Sequence, residues 1–211
     1  MSLRRPQVIQ TMPIVRRLAV LFVAVSGCSR GPARFEAPAV DPVAAGARAI
    51  ELYDANGDGK LDKEELRQAP AILAKLPAWD VDGNESVDSQ EVEKHVAALY
   101  KSGTGGTKLN CLILYKGKPL SGATVTLEPE GFLGEAVQAA TGVTDGSGAT
   151  QLGIPPEYAP EHLRRIKTVH YGVFKVRVTH PTISIPEKYN VKTELGYETE
   201  PGVPIVRYSL N

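Results

Sequence analysis

The chain has 211 residues, with 24 Lys and Arg against 24 Asp and Glu, enough length for one or two packed domains. The even balance hides a division: residues 1–27 carry four Arg and no acid, residues 48–95 carry 12 acids against 6 bases, and residues 101–211 carry 12 bases against 10 acids. A local acid excess points to cation ligands rather than to a generally acidic surface, and there is no basic face with interleaved aromatics to suggest nucleic-acid binding.

At the N-terminus, Arg16 and Arg17 precede the apolar run Leu18–Val25, and the small residues Ser26 and Gly27 lead to Cys28. A basic end, a short apolar stretch and small residues before a cut site predict a cleaved secretory signal over residues 1–27. The run is too short to span a bilayer as a helix, which takes about 20 residues. Val25-Ser26-Gly27-Cys28 resembles the lipobox of bacterial lipoproteins. That resemblance implies diacylglyceryl modification of Cys28, cleavage just before it, and a cell-envelope protein held to the membrane through lipidated Cys28. Ser29 after the cysteine implies sorting to the outer membrane. With Cys28 lipidated, the one remaining cysteine, Cys111, has no intrachain disulfide partner. It lies in the apolar stretch Leu109–Tyr115 and reads as a packed core thiol.

Residues 28–41, with Pro32, Pro38 and no apolar period, read as a flexible tether. Pro42 opens a helical pattern to Tyr53. The next 12 residues run Asp54-Ala-Asn-Gly-Asp-Gly-Lys-Leu-Asp-Lys-Glu-Glu65. Asp54, Asn56 and Asp58 stand at positions 1, 3 and 5, Gly59 at the sharp turn, Lys60 with its carbonyl at 7, Asp62 at 9 and Glu65 at 12. Calcium takes six to eight hard oxygens in a flexible cage, and one 12-residue loop of this pattern can wrap them around it. A second run, Asp80-Val-Asp-Gly-Asn-Glu-Ser-Val-Asp-Ser-Gln-Glu91, repeats the pattern with Asp80, Asp82, Asn84, Asp88 and Glu91, and with Ser86 offering its carbonyl. Glu85 stands where the turn glycine belongs, so a left-handed backbone there would cost a residue with a Cβ about 1 kcal/mol or more. Leu61 and Val87 hold the eighth position of each run, where two such loops pair.

Both runs resemble the EF-hand family over about residues 42–101, the first closely. The resemblance implies a calcium-binding pair, made tight by the 14 residues between Glu65 and Asp80, with Tyr53, Leu66, Leu73, Trp79, Val92 and Val96 as its core. It does not imply calmodulin-like opening, because both methionines lie in the leader.

Residues 102–106 are rich in glycine and read as a linker. Beyond them the period changes to two in Thr124–Leu127, Val173–Val178 and Ile205–Leu210, with Asp145-Gly-Ser-Gly148 as a tight turn. The stretch Gly153–His170 reads as an exposed loop with a helical turn. The strand and turn order over 107–211 resembles the carboxypeptidase regulatory-like domains, small sandwiches of the transthyretin-like type. The expected fold class is therefore multidomain: a small all-α EF-hand pair (42–101) and an all-β antiparallel sandwich (107–211), after a cleaved lipoprotein signal peptide.

The expected function is calcium binding by a lipid-anchored, non-catalytic envelope protein whose sandwich meets an envelope protein or a polysaccharide. A carbohydrate-binding sandwich would use exposed aromatics, with Tyr158, Tyr171, Tyr189 and Tyr197 as candidates. A metal-dependent enzyme of sandwich fold is the third alternative. Intradiol dioxygenases hold iron with two Tyr and two His, types supplied here by Tyr158, His162, Tyr171 and His180. The Tyr-Arg-Gly-Ser ending of transthyretin-like hydrolases is absent, since the chain ends Val206-Arg-Tyr-Ser-Leu-Asn211.

Overall fold

The first helix, α1 (Pro42–Tyr53), starts where Asp41 accepts hydrogen bonds from the amides of Val43 (3.0 Å) and Ala44 (3.2 Å), with Pro42 pre-set in the first turn. This computed structural model describes residues 35–199, 202 and 205–211. The expected signal peptide and Cys28 lie outside the described residues. After α1 come β1 (Lys60–Leu61), a 3-10 turn at Glu65–Gln68, α2 (Pro70–Ala74), α3 (Leu76–Trp79), β2 (Val87–Asp88) and α4 (Ser89–Tyr100). The prolines at 70 and 77 sit in the first turns of α2 and α3, where a missing amide is tolerated, and Pro77 cannot continue α2; the two helices are five and four residues long. Strands β1 and β2 pair antiparallel, Leu61 opposite Val87.

The rest of the chain is β-rich: β3 (Gly106–Thr107), β4 (Leu109–Tyr115), β5 (Lys118–Pro119), β6 (Thr124–Pro129), β7 (Ala140–Val143), β8 (Ala149–Leu152), β9 (Val169–His170), β10 (Val173–Thr179), β11 (Gly196–Glu198) and β12 (Ile205–Leu210). One sheet has the order β11-β10-β6-β7, all antiparallel. In the other, β4 pairs with β12 on one side and with β8 and β5 on the other. Period-two burial puts Val125, Leu127, Val176 and Val178 of the first sheet, and Leu109, Cys111, Ile113 and Leu152 of the second, into a shared core. The architecture is sandwich-like, with one departure from the all-antiparallel expectation: β12 runs parallel to β4. The expected 153–170 loop carries two short 3-10 turns, Pro156–Tyr158 and Glu161–Leu163.

The helical segment and the sheets are not separately packed bodies. The described residues belong to one compact unit, Ala33–Asn211, with one continuous buried cluster. Phe132, fully buried, meets Tyr53 and Trp79 edge-on, each at 6.4 Å between ring centres. Helix α2 lies on β11 so closely that a Cβ on Gly196 would stand 2.0 Å from the Ala71 nitrogen. The expected linker at 102–106 is part of this packing. The Gly105 amide donates to the Phe35 carbonyl at 2.7 Å, its carbonyl accepts from Tyr171, and a Cβ there would fall 1.8 Å from the Glu36 carbonyl oxygen. The glycine serves close approach of backbone rather than flexibility.

Of the six expected core residues of the helical segment, Tyr53, Leu66, Trp79, Val92 and Val96 are buried, while Leu73 is partly buried against the core.

Candidate metal centre

Each acidic loop begins where a helix ends in an aromatic residue: α1 at Tyr53 before Asp54, and α3 at Trp79 before Asp80. In the first loop, Asp54 accepts from the amides of Gly57 (Oδ1, 2.6 Å) and Gly59 (Oδ2, 2.9 Å). Asn56 and Asp58 each accept from the amide two residues on. Glu65, buried, folds back across the loop: Oε1 accepts from Ala55 (2.9 Å) and Asn56 (3.1 Å), and Oε2 from the Asp62 amide (3.0 Å). Asp62 answers by accepting from the amides of Glu64 and Glu65.

The second loop repeats this network 26 residues later in the chain. Asp80 accepts from Gly83 (Oδ1, 2.7 Å) and Glu85 (Oδ2, 2.8 Å). Asp82 accepts from Asn84, and Asn84 from the amide of Ser86. Glu91, also buried, accepts from Val81 (2.7 Å) and Asp82 (3.3 Å) at Oε1 and from Asp88 (3.0 Å) at Oε2. Asp88 accepts from the Glu91 amide, so this pair is also the capping box of α4. Three backbone amides thus hold each buried Glu with its carboxylate toward the loop interior.

The two loops are joined back to back through β1 and β2, with Leu61 and Val87 fully buried and Lys60 opposite Asp88. At the turn position Gly59 has φ +81° and Glu85 has φ +64°. The non-glycine residue therefore adopts the left-handed conformation its place requires, and its carboxylate pairs on the surface with Lys63 at 2.7 Å.

Carboxylate oxygens of Asp80, Asp82 and Glu91 lie within 4.8 Å of one another, and among the described residues they are the group of three acidic, His or Cys side chains gathered closely enough to hold a metal ion. Desolvation raises the Asp80 carboxyl, but the amides of Glu85, Gly83 and Asn84, with Asp82, more than offset it and hold it below the ordinary range. Such a set of hard oxygens suits a hard cation and offers no soft ligand.

The residues weighed for an iron site are not drawn together in this way. Tyr171 is buried, and its amide bonds to Gly105. His180 bonds the Ser121 carbonyl and caps the turn at Thr182 and Ile183. Tyr158 and His162 line a cleft of about 280 Å³ with His170. Burial pulls His170 down to a pKa of about 4, and its Nδ1 accepts from the Gln138 amide, so the ring is neutral at pH 7. Of the four tyrosines considered as a sugar platform, Tyr171 and Tyr189 are buried, Tyr197 is partly buried, and Tyr158 is exposed.

Two buried glutamates of the β-rich part were not anticipated. Glu130 accepts from the Tyr53 hydroxyl at 2.6 Å and pairs with Lys175 at 3.5 Å. Glu198 accepts from the Trp79 indole at 3.1 Å and bonds His95 Nε2 at 3.0 Å. Nothing local in the sequence marks either residue, because their partners stand 77, 119 and 103 positions away.

Comparison with family models, with curated proteins and with solved structures finds no match to this chain.

Proposed function

We propose that this chain is a calcium-binding protein of the cell envelope, in which Asp54–Glu65 and Asp80–Glu91 act as an EF-hand pair and the β-rich part serves as a non-catalytic interaction module. The observation that carries this reading is the repeat. Two loops of one pattern hold their first and last carboxylates with the same backbone amides, and a short ladder joins them. A solvated acidic turn has no need of a buried glutamate at its twelfth position, whereas an ion cage has. Asp54, Asn56, Asp58, Asp62 and Glu65, with the Lys60 carbonyl, would ligate one ion. Asp80, Asp82, Asn84, Asp88 and Glu91, with the Ser86 carbonyl, would ligate the other. Four carboxylates in each small volume repel without a cation, so binding should order the loops as it fills them.

Calorimetric titration of the full chain tests this. Wild type should take up two calcium ions. Glu65→Gln should lose the first site and Glu91→Gln the second, each by removal of the bidentate charge. A Glu65→Gln titration identical to wild type would contradict the reading.

The anchor belongs to the same proposal and rests on the lipobox sequence alone. Cys28→Ser should release the protein from the membrane fraction or stall its maturation. Membrane retention with normal processing would remove the lipoprotein reading and leave calcium binding untouched. The partner is proposed to be an envelope protein or a polysaccharide.

A further inference from the structure

Glu198, on β11 of the β-rich part, reaches both helices that flank the second acidic loop. Its Oε2 accepts from the indole of Trp79, the last residue of α3 and the one before Asp80. Its Oε1 meets Nε2 of His95, one helical turn beyond Glu91 on α4. The two partner rings stack on each other, 3.8 Å apart and 17° from parallel. Trp79 is fully buried and Glu198 nearly so. Burial raises the Glu198 carboxyl, but the hydrogen bond and charge of His95, then Lys75 and Trp79, more than offset it and keep it ionised. The carboxylate can only accept, so His95 Nε2 is the donor.

One side chain thus ties the residue that delivers the loop's first carboxylate to the helix that delivers its last. The first loop has only half of this arrangement. Glu130 holds Tyr53, on the entering side, and its other partner is Lys175 of β10, not the helical turn that follows Glu65. Asp80, Asp82 and Glu91, which the two clamped helices flank, are gathered within 4.8 Å of one another; the first loop has the amide Asn56 in place of the second loop's Asp82.

We infer that Glu198 is a positioning residue for the second loop, clamping Trp79 and His95 so that Asp80 and Glu91 stand ready for a cation. This rests on the proposal that the loop binds one. The clamp spares the loop part of the ordering that binding otherwise demands, so affinity rises without a new ligand. Linkage works both ways: an ion in the second loop tightens the seam between α3, α4 and β11 by the same factor. Trp79, the one tryptophan in the chain, reports that seam directly.

The test is calcium titration of the full chain, read by calorimetry and by Trp79 emission, in a Glu65→Gln background that leaves the second loop as the binding site. Glu198→Gln keeps the shape, but its amide group faces one of the two donors. It should weaken calcium at the second loop about fivefold or more, the low end of typical coupling between sites. In a Glu91→Gln background the same substitution should leave the first loop's affinity unchanged. Calcium should shift Trp79 emission in the parent, and the shift should shrink in Glu198→Gln. His95→Phe keeps the stack and removes one donor, so it gives the same readout if Glu198→Gln folds poorly. Equal affinity with and without Glu198→Gln, in a folded protein that binds calcium, overturns the clamp alone. Equal weakening of both loops also overturns it, as general destabilisation. A wild-type chain that takes up no calcium overturns the binding proposal and the clamp with it.

Discussion

Glu85 sits at φ +64° in a turn that glycine fills in the first loop. Relieving that conformation with Glu85→Gly should stabilise the chain by about 1 kcal/mol, less what glycine costs through the looser unfolded chain. The lost Lys63–Glu85 pair is exposed and contributes little. Calcium should also bind the second loop more tightly, and denaturant unfolding with a calcium titration checks both. Glu130 makes a second residue-scale prediction. Burial, partly offset by Lys175 and Tyr53, raises its carboxyl from 4.5 to about 7. The folded chain therefore binds more protons than the unfolded one between those values. The stability it contributes is present below about pH 4.5 and lost as pH rises through about 7. At about 1.4 kcal/mol per unit the loss is on the order of 3 kcal/mol. Glu130→Gln should lack this decline, as unfolding curves from pH 4.5 to 8 would show. Cys111, buried and pushed up to about 12 by desolvation, should resist alkylation in the native chain and react on unfolding. The Glu85 strain and the buried thiol were legible in the sequence, because each follows from a local pattern. Glu130 and Glu198 were not, since a glutamate at a strand end carries no local sign of the distant aromatic it will meet.

The caps at Asp41 and at Asp88 with Glu91 come from the structure, but at the scale of elements α1, α4 and both loops were legible from spacing and the acidic pattern. The parallel pairing of β12 with β4 was not, because alternation fixes which face a strand buries and says nothing of its direction beside a neighbour. The seat of α2 on β11 is similarly silent in sequence and can be tested. Gly196→Ala drives a Cβ into the backbone at Ala71 and should cost about 2–3 kcal/mol as overpacking. Gly146→Ala, where nothing lies within 4 Å, should stay within about 0.5 kcal/mol. Equal effects in thermal unfolding would contradict the close packing of α2.

Across the whole molecule, the composition change at residues 102–106 was legible and its meaning was not. Read alone, Lys101–Thr107 predicts a free linker and a sandwich that folds by itself. In the structure Gly105 is stitched to Phe35 and Tyr171, and Phe132, Glu130 and Glu198 take their partners from the helical segment. Residues 107–211 alone would leave those groups bare. The segment should unfold at markedly lower denaturant than the full chain, and equal midpoints would contradict the shared core. In one packed unit, ion binding at the loops stabilises everything that unfolds with them. Binding to the folded state alone adds about 2.7 kcal/mol per site at a hundredfold excess over Kd. For a chain of this size each kcal/mol raises Tm by roughly 2–4 °C. Thermal unfolding of the full chain in chelator and in millimolar calcium therefore tests the central claim most directly. A single transition that rises by roughly 5 °C or more with calcium, and does not rise in the Glu65→Gln, Glu91→Gln double variant, is the expected result. A Tm that calcium leaves unmoved in wild type would contradict it.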